Sequence, residues 1–268
     1  MSKIGFIGAG NMAEAIIKGV IDAHIYHAED IIISDVRKDR LNELADKYGI
    51  SFMSNMQLAE AVDILVLSVK PQNMTSVLNE IKNSLCETLM VSIAAGITTG
   101  SICNTLGYSS VIRVMPNTPA LIGQGTAVLY ATKEARERLS EVERIFSAVG
   151  LVAAVEDEKL LDAVTAVSGS GPAYFFLLME EMIKTAEKMG LGKELAEKIV
   201  LQTAKGAAML AIERAKTGEK PEVLRQKVTS PNGTTEAALK VFAKNDFSKI
   251  VSEALAAAEK RSKELSGN

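Results

Sequence analysis

Cysteine is scarce in this sequence of 268 residues, and the scarcity excludes a disulfide framework. Its two cysteines, Cys86 and Cys103, each lie inside a periodic apolar segment and do not have the spacing of metal ligands. We therefore expect two buried free thiols, as in a cytoplasmic protein, and no metal site.

The sequence also lacks an excess of charge of one sign. Lysine and arginine number 30 against 33 acidic residues, which gives a net charge of -3 with both signs scattered along the chain. Nucleic-acid binding needs a basic patch, so this class of partner is excluded.

Long uninterrupted hydrophobic runs are missing as well. The longest, Ala163–Met179, is broken by Ser168–Pro172 and followed by two glutamates, so it is too short to span a bilayer. A strand pattern begins at Lys3, without the charged and cleavable segments of an export signal. We expect a cytoplasmic protein that does not enter a membrane.

The first half of the chain alternates short β-rich runs with helical periods. This alternation predicts an α/β fold, in which helices cover both faces of a parallel sheet. The predicted strands are Ile4–Ile7, Ile31–Ser34, Asp63–Val69, Leu89–Ile93, Val111–Met115, Gly125–Tyr130 and Leu151–Val155.

After about Glu156 the β-branched runs stop and the pattern becomes helical. The change predicts two domains, a sheet domain at residues 1–156 and an all-α domain at residues 157–268. A helix is predicted from Pro172 to Met189, and its segment Ala173–Met179 is apolar on every side. A domain of this size does not readily cover such a helix, so we expect a partner subunit to cover it.

A glycine-rich turn follows the first predicted strand. Its pattern Gly8-x-Gly10-x-x-Ala13 stands between that strand and a helix, which is the setting of a Rossmann-type dinucleotide site. The glycines permit a tight turn and the approach of a pyrophosphate, and the start of the helix offers free amides.

The end of the second strand gives opposed signals about the cofactor. Asp35 suits the ribose hydroxyls of NADH, while Ser34, Arg37 and Lys38 could hold the additional phosphate of NADPH. Arg37 and Lys38 could equally be solvated residues that open a helix. The residues themselves leave the choice open.

Three later loops fall at the carboxyl ends of predicted strands, where open α/β sheets bind ligands. Ser68–Pro71 and Ala94–Gly96 consist of small or polar residues that leave room for a cofactor. Met115–Pro119 carries two prolines, and it is either a site loop or a rigid crossover.

A polar elbow, VTSPNGTTEAAL, occupies Val228–Leu239 between two helical stretches. Pro-Asn-Gly is ordinary in a helix–helix turn. Alternatively, the first amides of the following helix form a cradle for an anion.

Six motifs together give a resemblance over essentially the whole chain. They are Phe6–Met12, Ser68–Pro71, Ser92–Gly96, Arg113–Pro119, Ser168–Tyr174 and Thr229–Thr235. In these motifs the chain resembles pyrroline-5-carboxylate reductases. The resemblance implies reduction of Δ1-pyrroline-5-carboxylate to L-proline with NADPH or NADH, in a homodimer whose dimers can assemble further.

The resemblance also implies a set of site residues. Its substrate contacts fall on Glu158 and on the elbow residues Gly233, Thr234 and Thr235. Its cofactor contacts fall on Ile7, Gly8, Ala9, Gly10, Asn11, Met12, Ser34, Asp35, Arg37, Asn55, Val69, Lys70, Pro71, Ala95 and Gly96.

The elbow then has a chemical interpretation. The amides of Gly233, Thr234 and Thr235 would hold the substrate carboxylate, and the Thr235 hydroxyl, the predicted catalytic group, would contact the ring nitrogen. An imine nitrogen is basic enough that no histidine or cysteine is required. His24 and His27 lie in the loop after the first helix, and we expect them to be solvated.

Two rival functions differ from this one. A β-hydroxyacid dehydrogenase needs a lysine or histidine beside the nicotinamide, but Ser168–Tyr174 contains no basic residue. A dinucleotide-binding sensor without turnover is the other rival, and an assay of cofactor oxidation separates it from the enzyme.

Overall fold

The structure is a computed structural model that describes residues 2–267. One eight-stranded sheet organises the first half of the chain, in the strand order β3-β2-β1-β4-β5-β6-β7-β8. The strands are β1 (Ile4–Ile7), β2 (Ile31–Ser34), β3 (Ser51–Phe52), β4 (Ile64–Leu67), β5 (Leu89–Ser92), β6 (Val111–Met115), β7 (Gly125–Ala131) and β8 (Gly150–Ala154).

The sheet is parallel apart from one pairing. β7 runs antiparallel to β6, with Ile112 opposite Ala131. The link between β6 and β7 comprises positions 116–124. It is too short for a parallel pair, which needs a crossover of about a dozen residues or more. The predicted α/β class is confirmed, with this one reversed strand.

Six α-helices accompany the sheet in this half of the described chain. They are α1 (Asn11–Asp22), α2 (Lys38–Tyr48), α3 (Asn55–Ala61), α4 (Met74–Ile81), α5 (Thr99–Leu106) and α6 (Leu139–Ser147). All residues of β1, β2, β4 and β5 are buried, since helices cover both faces of the sheet. Two apolar clusters, one on each face, form the core.

The second half is helical, as predicted. Its elements are α7 (Leu160–Val164), a π-helical turn (Thr165–Gly169), α8 (Gly171–Lys188), α9 (Lys193–Ala215), α10 (Pro221–Lys227), α11 (Thr234–Lys244) and α12 (Phe247–Ser266). The π-helical turn overlaps the predicted break at Ser168–Pro172 only at Ser168 and Gly169, and α8 already begins at Gly171. α8 matches the predicted helix to within one residue at each end, and Gly190 stops it with a φ of 96°.

The chain divides into two compact units. We call residues 2–172 together with 257–267 the sheet unit, and residues 173–256 the helical unit. The composition of the sequence changes at Glu156, but it does not mark the return of the chain to the sheet unit at Ala257. The domains 1–156 and 157–268 therefore remain a prediction from sequence.

The C-terminal segment of the sheet unit is fixed by buried polar contacts. Asp162 is 2% exposed and accepts a hydrogen bond from the Ser262 hydroxyl at 2.7 Å. Leu265 packs closely on Gly96, since a Cβ added to Gly96 would lie 2.8 Å from the Leu265 Cβ. The end of α12 is thus part of the same unit as the sheet.

The expectation of two buried thiols is wrong in one respect. Both cysteines are free, but Cys86 is exposed and Cys103 is half-buried. Cys86 lies in the segment that links α4 to β5. Because the helix ends at Ile81, its apolar periodicity does not apply to Cys86.

Candidate functional site

A cleft of about 1130 Å³ opens in the sheet unit at the carboxyl ends of β1, β2, β4 and β5. Its volume exceeds the range of about 300–1,000 Å³ that is usual for drug-sized ligands. The predicted cofactor residues that line it are Ile7, Gly8, Gly10, Asn11, Met12, Ser34, Asp35, Arg37, Asn55, Val69, Lys70, Pro71 and Ala95. Most of the predicted cofactor residues therefore lie together in the structure.

The turn after β1 requires glycine at its first position. Gly8 has a φ of 98°, and a Cβ there would lie 2.7 Å from the carbonyl oxygen of Ser68. The Gly8 amide donates to the Ser34 carbonyl at 2.7 Å, so the turn is fixed against two neighbouring strands. Only glycine tolerates both this φ and this approach.

The N-terminus of α1 follows this turn and faces the cleft. Gly10 is the N-cap residue, and no side chain among the described residues caps it. A Cβ at Gly10 would meet no atom within 4 Å. The first amides of the helix and the open space at Gly10 fit a dinucleotide pyrophosphate.

Arg40 supports the turn, and sequence reasoning missed it. Its Nε donates to the Ala9 carbonyl at 2.8 Å, and its Nη2 contacts Glu14. Glu14 also accepts from Lys47 and Tyr48. Burial raises the pKa of Glu14, but these hydrogen bonds outweigh it and lower the pKa from 4.5 to about 2. The arginine at the start of α2 is the only sequence signal of this cluster.

Ala9 is the first exception among the predicted cofactor residues, because it is fully buried and does not line the cleft. Its amide donates to Asp35 Oδ2 at 2.8 Å. The Ala9 backbone therefore stabilises the turn without lining the cleft.

Asp35 is already engaged by the protein. Its carboxylate accepts the amide of Arg37 at 2.9 Å and the Arg37 Nε at 3.1 Å, in addition to the Ala9 amide. Burial raises the pKa of Asp35, but the hydrogen bonds from Arg37 and Ala9 prevail and lower it. Arg37 itself is 54% exposed, so its guanidinium is accessible from the cleft.

Asn55 lies at the start of α3, where Ser54 and Gln57 form a capping box. The Asn55 Nδ2 donates to Glu80 Oε2 at 2.8 Å, and Asn55 and Glu80 both line the cleft. Glu80 belongs to α4, and no motif in the sequence marked it. The capping box was the signal that could have revealed α3.

Gly96 is the second exception. It has a φ of 73° and packs against Leu265 rather than lining the cleft, whereas its neighbour Ala95 does line it. The structure therefore supplies a packing reason for this glycine. Its predicted cofactor contact stays a prediction.

Glu158 precedes α7 and is held by two other elements of the sheet unit. Its Oε1 accepts the Thr99 amide at 2.8 Å and Arg113 Nη1 at 3.0 Å. Its Oε2 accepts the Thr99 hydroxyl at 2.6 Å. The carboxylate is mostly buried and charged, which suits contact with a polar ligand atom.

The elbow corrects one part of the predicted anion cradle. The Gly233 amide donates to the Ser230 carbonyl at 3.0 Å, so it is not free. The unusual backbone angle also belongs to Asn232, with a φ of 58°, whereas Gly233 has a φ of -86°. The Gly233 amide therefore belongs to the turn and not to the anion cradle.

The amides of Thr234 and Thr235 begin α11, and within residues 2–267 no hydrogen bond uses them. Thr235 is half-buried, and Thr234 is exposed. These two amides and the Thr235 hydroxyl remain the candidate anion site of the helical unit.

Two neighbours of the elbow are engaged by the protein itself. Glu236 accepts the Asn232 amide and pairs with Lys240, so its negative charge is partly balanced. Lys227 pairs with Glu219.

The remaining titratable residues offer little acid–base chemistry. His24 and His27 are exposed, as predicted. In the described part of the chain, no three His, Cys, Asp or Glu side chains cluster in a way that could hold a metal ion. No helix within residues 2–267 is both long and apolar enough to cross a membrane.

Two family models match the chain. The model described as pyrroline-5-carboxylate reductase dimerisation matches residues 158–265. The model described as NADP oxidoreductase, coenzyme F420-dependent, matches residues 3–96. The first includes the elbow, and the second includes the glycine turn.

Individual relatives match over nearly their full length. The chain is 46% identical to a pyrroline-5-carboxylate reductase of Pseudomonas aeruginosa, covering 98% of this chain and 96% of the relative. A solved reductase of that name from Coxiella burnetii gives a TM-score of 0.91 at 42% identity, covering 99% and 98% of the two chains. A pyrroline carboxylate reductase of Plasmodium falciparum, solved with NADP bound, gives 0.88 at 34% identity with the same coverage.

Proposed function

Because this chain belongs to the pyrroline-5-carboxylate reductase family, we propose that it catalyses the NADPH-dependent reduction of Δ1-pyrroline-5-carboxylate to L-proline, the last step of proline synthesis. The observation that carries the proposal is the glycine turn at the head of the cleft. It belongs to a chain that matches such reductases over nearly its whole length.

The dinucleotide, when bound, supplies the hydride for the reduction. The open space at Gly10 and the first amides of α1 hold the pyrophosphate, and the Arg40 contact to Ala9 keeps the turn in place. The predicted contacts of Asn55, Val69, Lys70, Pro71 and Ala95 belong to the same cleft.

NADPH is the preferred cofactor in this proposal. Four donors of the chain already contact the Asp35 carboxylate, which leaves it less able to accept a hydrogen bond from a ribose hydroxyl. The exposed guanidinium of Arg37 can bind the additional phosphate, since arginine matches phosphate geometry. NADH remains a usable alternative.

The substrate carboxylate binds the amides of Thr234 and Thr235 at the start of α11, where the helix dipole adds modest attraction. The Thr235 hydroxyl contacts the ring nitrogen. Glu158 supplies a second polar contact to the substrate.

The active form is a homodimer, and dimers can assemble further. Support comes from α8 and the helices after it, whose large apolar side chains are exposed in the single chain. Examples are Phe175 at 64%, Phe176 at 60% and Ile212 at 66%. Apolar surface of this extent marks an interaction site.

The cytoplasmic location is a further part of the proposal. Cell fractionation that finds the protein with an exported or membrane fraction would contradict it.

The test of the function is cofactor oxidation on addition of pyrroline-5-carboxylate, followed by the loss of absorbance at the nicotinamide band. We expect turnover with NADPH and slower turnover with NADH, together with formation of proline. Folded protein that oxidises neither cofactor would sink the enzyme proposal and favour the dinucleotide-binding sensor.

Substitution of Thr235 tests the elbow within this function. Thr235→Ala keeps the amide and removes the hydroxyl, so kcat/KM for the substrate should fall about ten- to a hundredfold while NADPH affinity is unchanged. Thr235→Ser is the matched control and should retain most activity. Unaltered kcat/KM in the alanine variant would remove the hydroxyl from the reaction.

A further inference from the structure

Arg113 is a buried charge with an incomplete set of partners. It lies on β6, in register with Ser92 of β5 and Tyr130 of β7, and its side chain is 3% exposed. Nη1 donates to Glu158 at 3.0 Å. Nη2 is the one buried side-chain polar atom of residues 2–267 that has no hydrogen-bond partner.

Such a residue is not explained by stability alone. A buried donor without a partner costs free energy, and an apolar side chain of similar size would fit a sheet interior at lower cost. Native structures contain few such atoms, and each calls for a specific reason. Within residues 2–267, the side chain that Arg113 contacts through a hydrogen bond is Glu158, which points to this residue as the reason for a buried arginine.

The acceptor positions of Glu158 are nearly all used. A carboxylate has about four acceptor positions, two on each oxygen. Oε1 accepts from the Thr99 amide and from Arg113, which occupies both of its positions. Oε2 accepts from the Thr99 hydroxyl. One acceptor position on Oε2 therefore remains for a ligand.

We propose that Arg113 is a positioning residue for the reductase reaction, which it serves by fixing the Glu158 carboxylate so that Oε2 presents its remaining acceptor position to the substrate. This inference rests on the proposed function. A negatively charged carboxylate attracts the positive charge of a protonated ring nitrogen and repels the carboxylate of the substrate. Glu158 thereby selects the orientation in which the nitrogen, rather than the carboxylate, contacts it.

Arginine is better suited to this task than lysine. Its planar fork keeps a fixed direction toward a carboxylate, while a lysine ammonium is a mobile point charge. The pair also gives the Glu158 carboxylate a counter-charge and holds it in one position. Thr99 completes the clamp from the first turn of α5.

A double-mutant cycle on kcat/KM tests the proposal with Arg113→Met, Glu158→Gln and the combined variant. Arg113→Met should lower kcat/KM for pyrroline-5-carboxylate about thirtyfold, chiefly through KM, with KM for NADPH changed less than about twofold. In the Glu158→Gln background the same substitution should have an effect of less than about twofold. Arg113→Lys should recover part of the lost activity.

Additive effects of the two substitutions would overturn the proposal, because Arg113 would then not act through Glu158. An inactive wild type would instead reject the function itself, and this inference with it. Arg138→Met is the matched control, since Arg138 forms an ion pair with Glu141 in the same unit, and its kinetics should equal those of the wild type.

If Arg113→Met does not fold, Thr99→Val replaces it in the cycle. Valine keeps the amide and shape of threonine but removes the hydroxyl that donates to Oε2. Thr99→Val should also raise KM for the substrate and lose its effect beside Glu158→Gln. Additivity in this second cycle would overturn the clamp as a positioning device.

Discussion

The sheet unit and the helical unit bury their apolar side chains in opposite ways. In the sheet unit, whole strands such as β1 and β4 are buried and two continuous clusters form. In the helical unit, whose residues are all described, Ala196 and Val200 are the only buried apolar residues. A sheet covered by its own helices is complete as one chain, whereas exposed apolar helices of this kind mark an interaction site.

The largest expected effect comes from breaking the helical side of this comparison. Phe176→Glu places a charge on the exposed apolar face of α8, and a two-fold dimer would carry the change twice. We expect the dimer dissociation constant to rise by at least about a thousandfold, measured by sedimentation. NADPH binding should persist, because the sheet unit closes its own core.

Glu187→Lys is the control on the same helix, at an exposed polar position. It should leave the dimer intact. A Phe176→Glu protein that remains dimeric at micromolar concentration would show that this face is not the interface.

The turn after β1 offers a test of the sheet unit, because its two glycines, Gly8 and Gly10, differ in their surroundings. Gly8→Ala should lower the free energy of unfolding by at least about 2 kcal/mol, because the φ of 98° and the Ser68 carbonyl both oppose a Cβ. Gly10→Ala should change it by less than about 1 kcal/mol. Denaturant unfolding measures both.

NADPH titration of the same two variants separates strain from binding. Both should bind more weakly, since a methyl group at Gly10 projects into the open space assigned to the pyrophosphate. Unchanged affinity in Gly10→Ala would place the pyrophosphate elsewhere.

A smaller effect is expected at the entrance of the cleft, where Arg37 pairs with Asp35. Arg37→Ala should reduce kcat/KM for NADPH about five- to twentyfold and that for NADH less than about twofold, because only NADPH carries the additional phosphate. Steady-state kinetics with both cofactors measure this. An equal reduction for both would make Arg37 a surface residue without a role in selectivity.

The smallest effect concerns charge, and here the two units differ again. Glu14 of the sheet unit is mostly buried and has a pKa lowered from 4.5 to about 2, while Glu181 of the helical unit forms exposed pairs within one helix. A lowered pKa stabilises the fold above about pH 4.5, and this stabilisation is lost as the pH falls toward 2.

Glu14→Gln should therefore lower the free energy of unfolding by about 1 kcal/mol near neutral pH, and the difference from the wild type should shrink below about pH 4. Glu181→Gln should follow the wild type at every pH, since exposed pairs contribute little. Urea unfolding at several pH values checks both, and a constant Glu14→Gln difference across the range would contradict the assignment.

Much of the fold could be predicted because its signals are local. The bounds of β1, β2 and β6 agree with the sequence pattern, since apolar periodicity and turn residues act over neighbouring positions. β3 has two residues, too few for any periodicity. The reversed direction of β7 depends on which strand it pairs with, a property that no single segment carries.

The site divides in the same way. The glycine turn was predictable, because its φ and its place after a strand limit the residue type. The partners of Glu158 were not, since Thr99 and Arg113 meet it only through the tertiary fold. The Gly233 amide was misjudged because its partner, the Ser230 carbonyl, depends on the turn conformation rather than on composition.

The contact between Leu265 and Gly96 has a consequence for biosynthesis. A ribosome adds about 5–20 residues per second from the N-terminus, so the whole helical unit is synthesised before residues 257–267 exist. During that interval the loop at Gly96 lacks the backbone that later packs on it, and Asp162 lacks the Ser262 hydroxyl. The nascent sheet unit therefore completes its packing only after the helical unit has been synthesised.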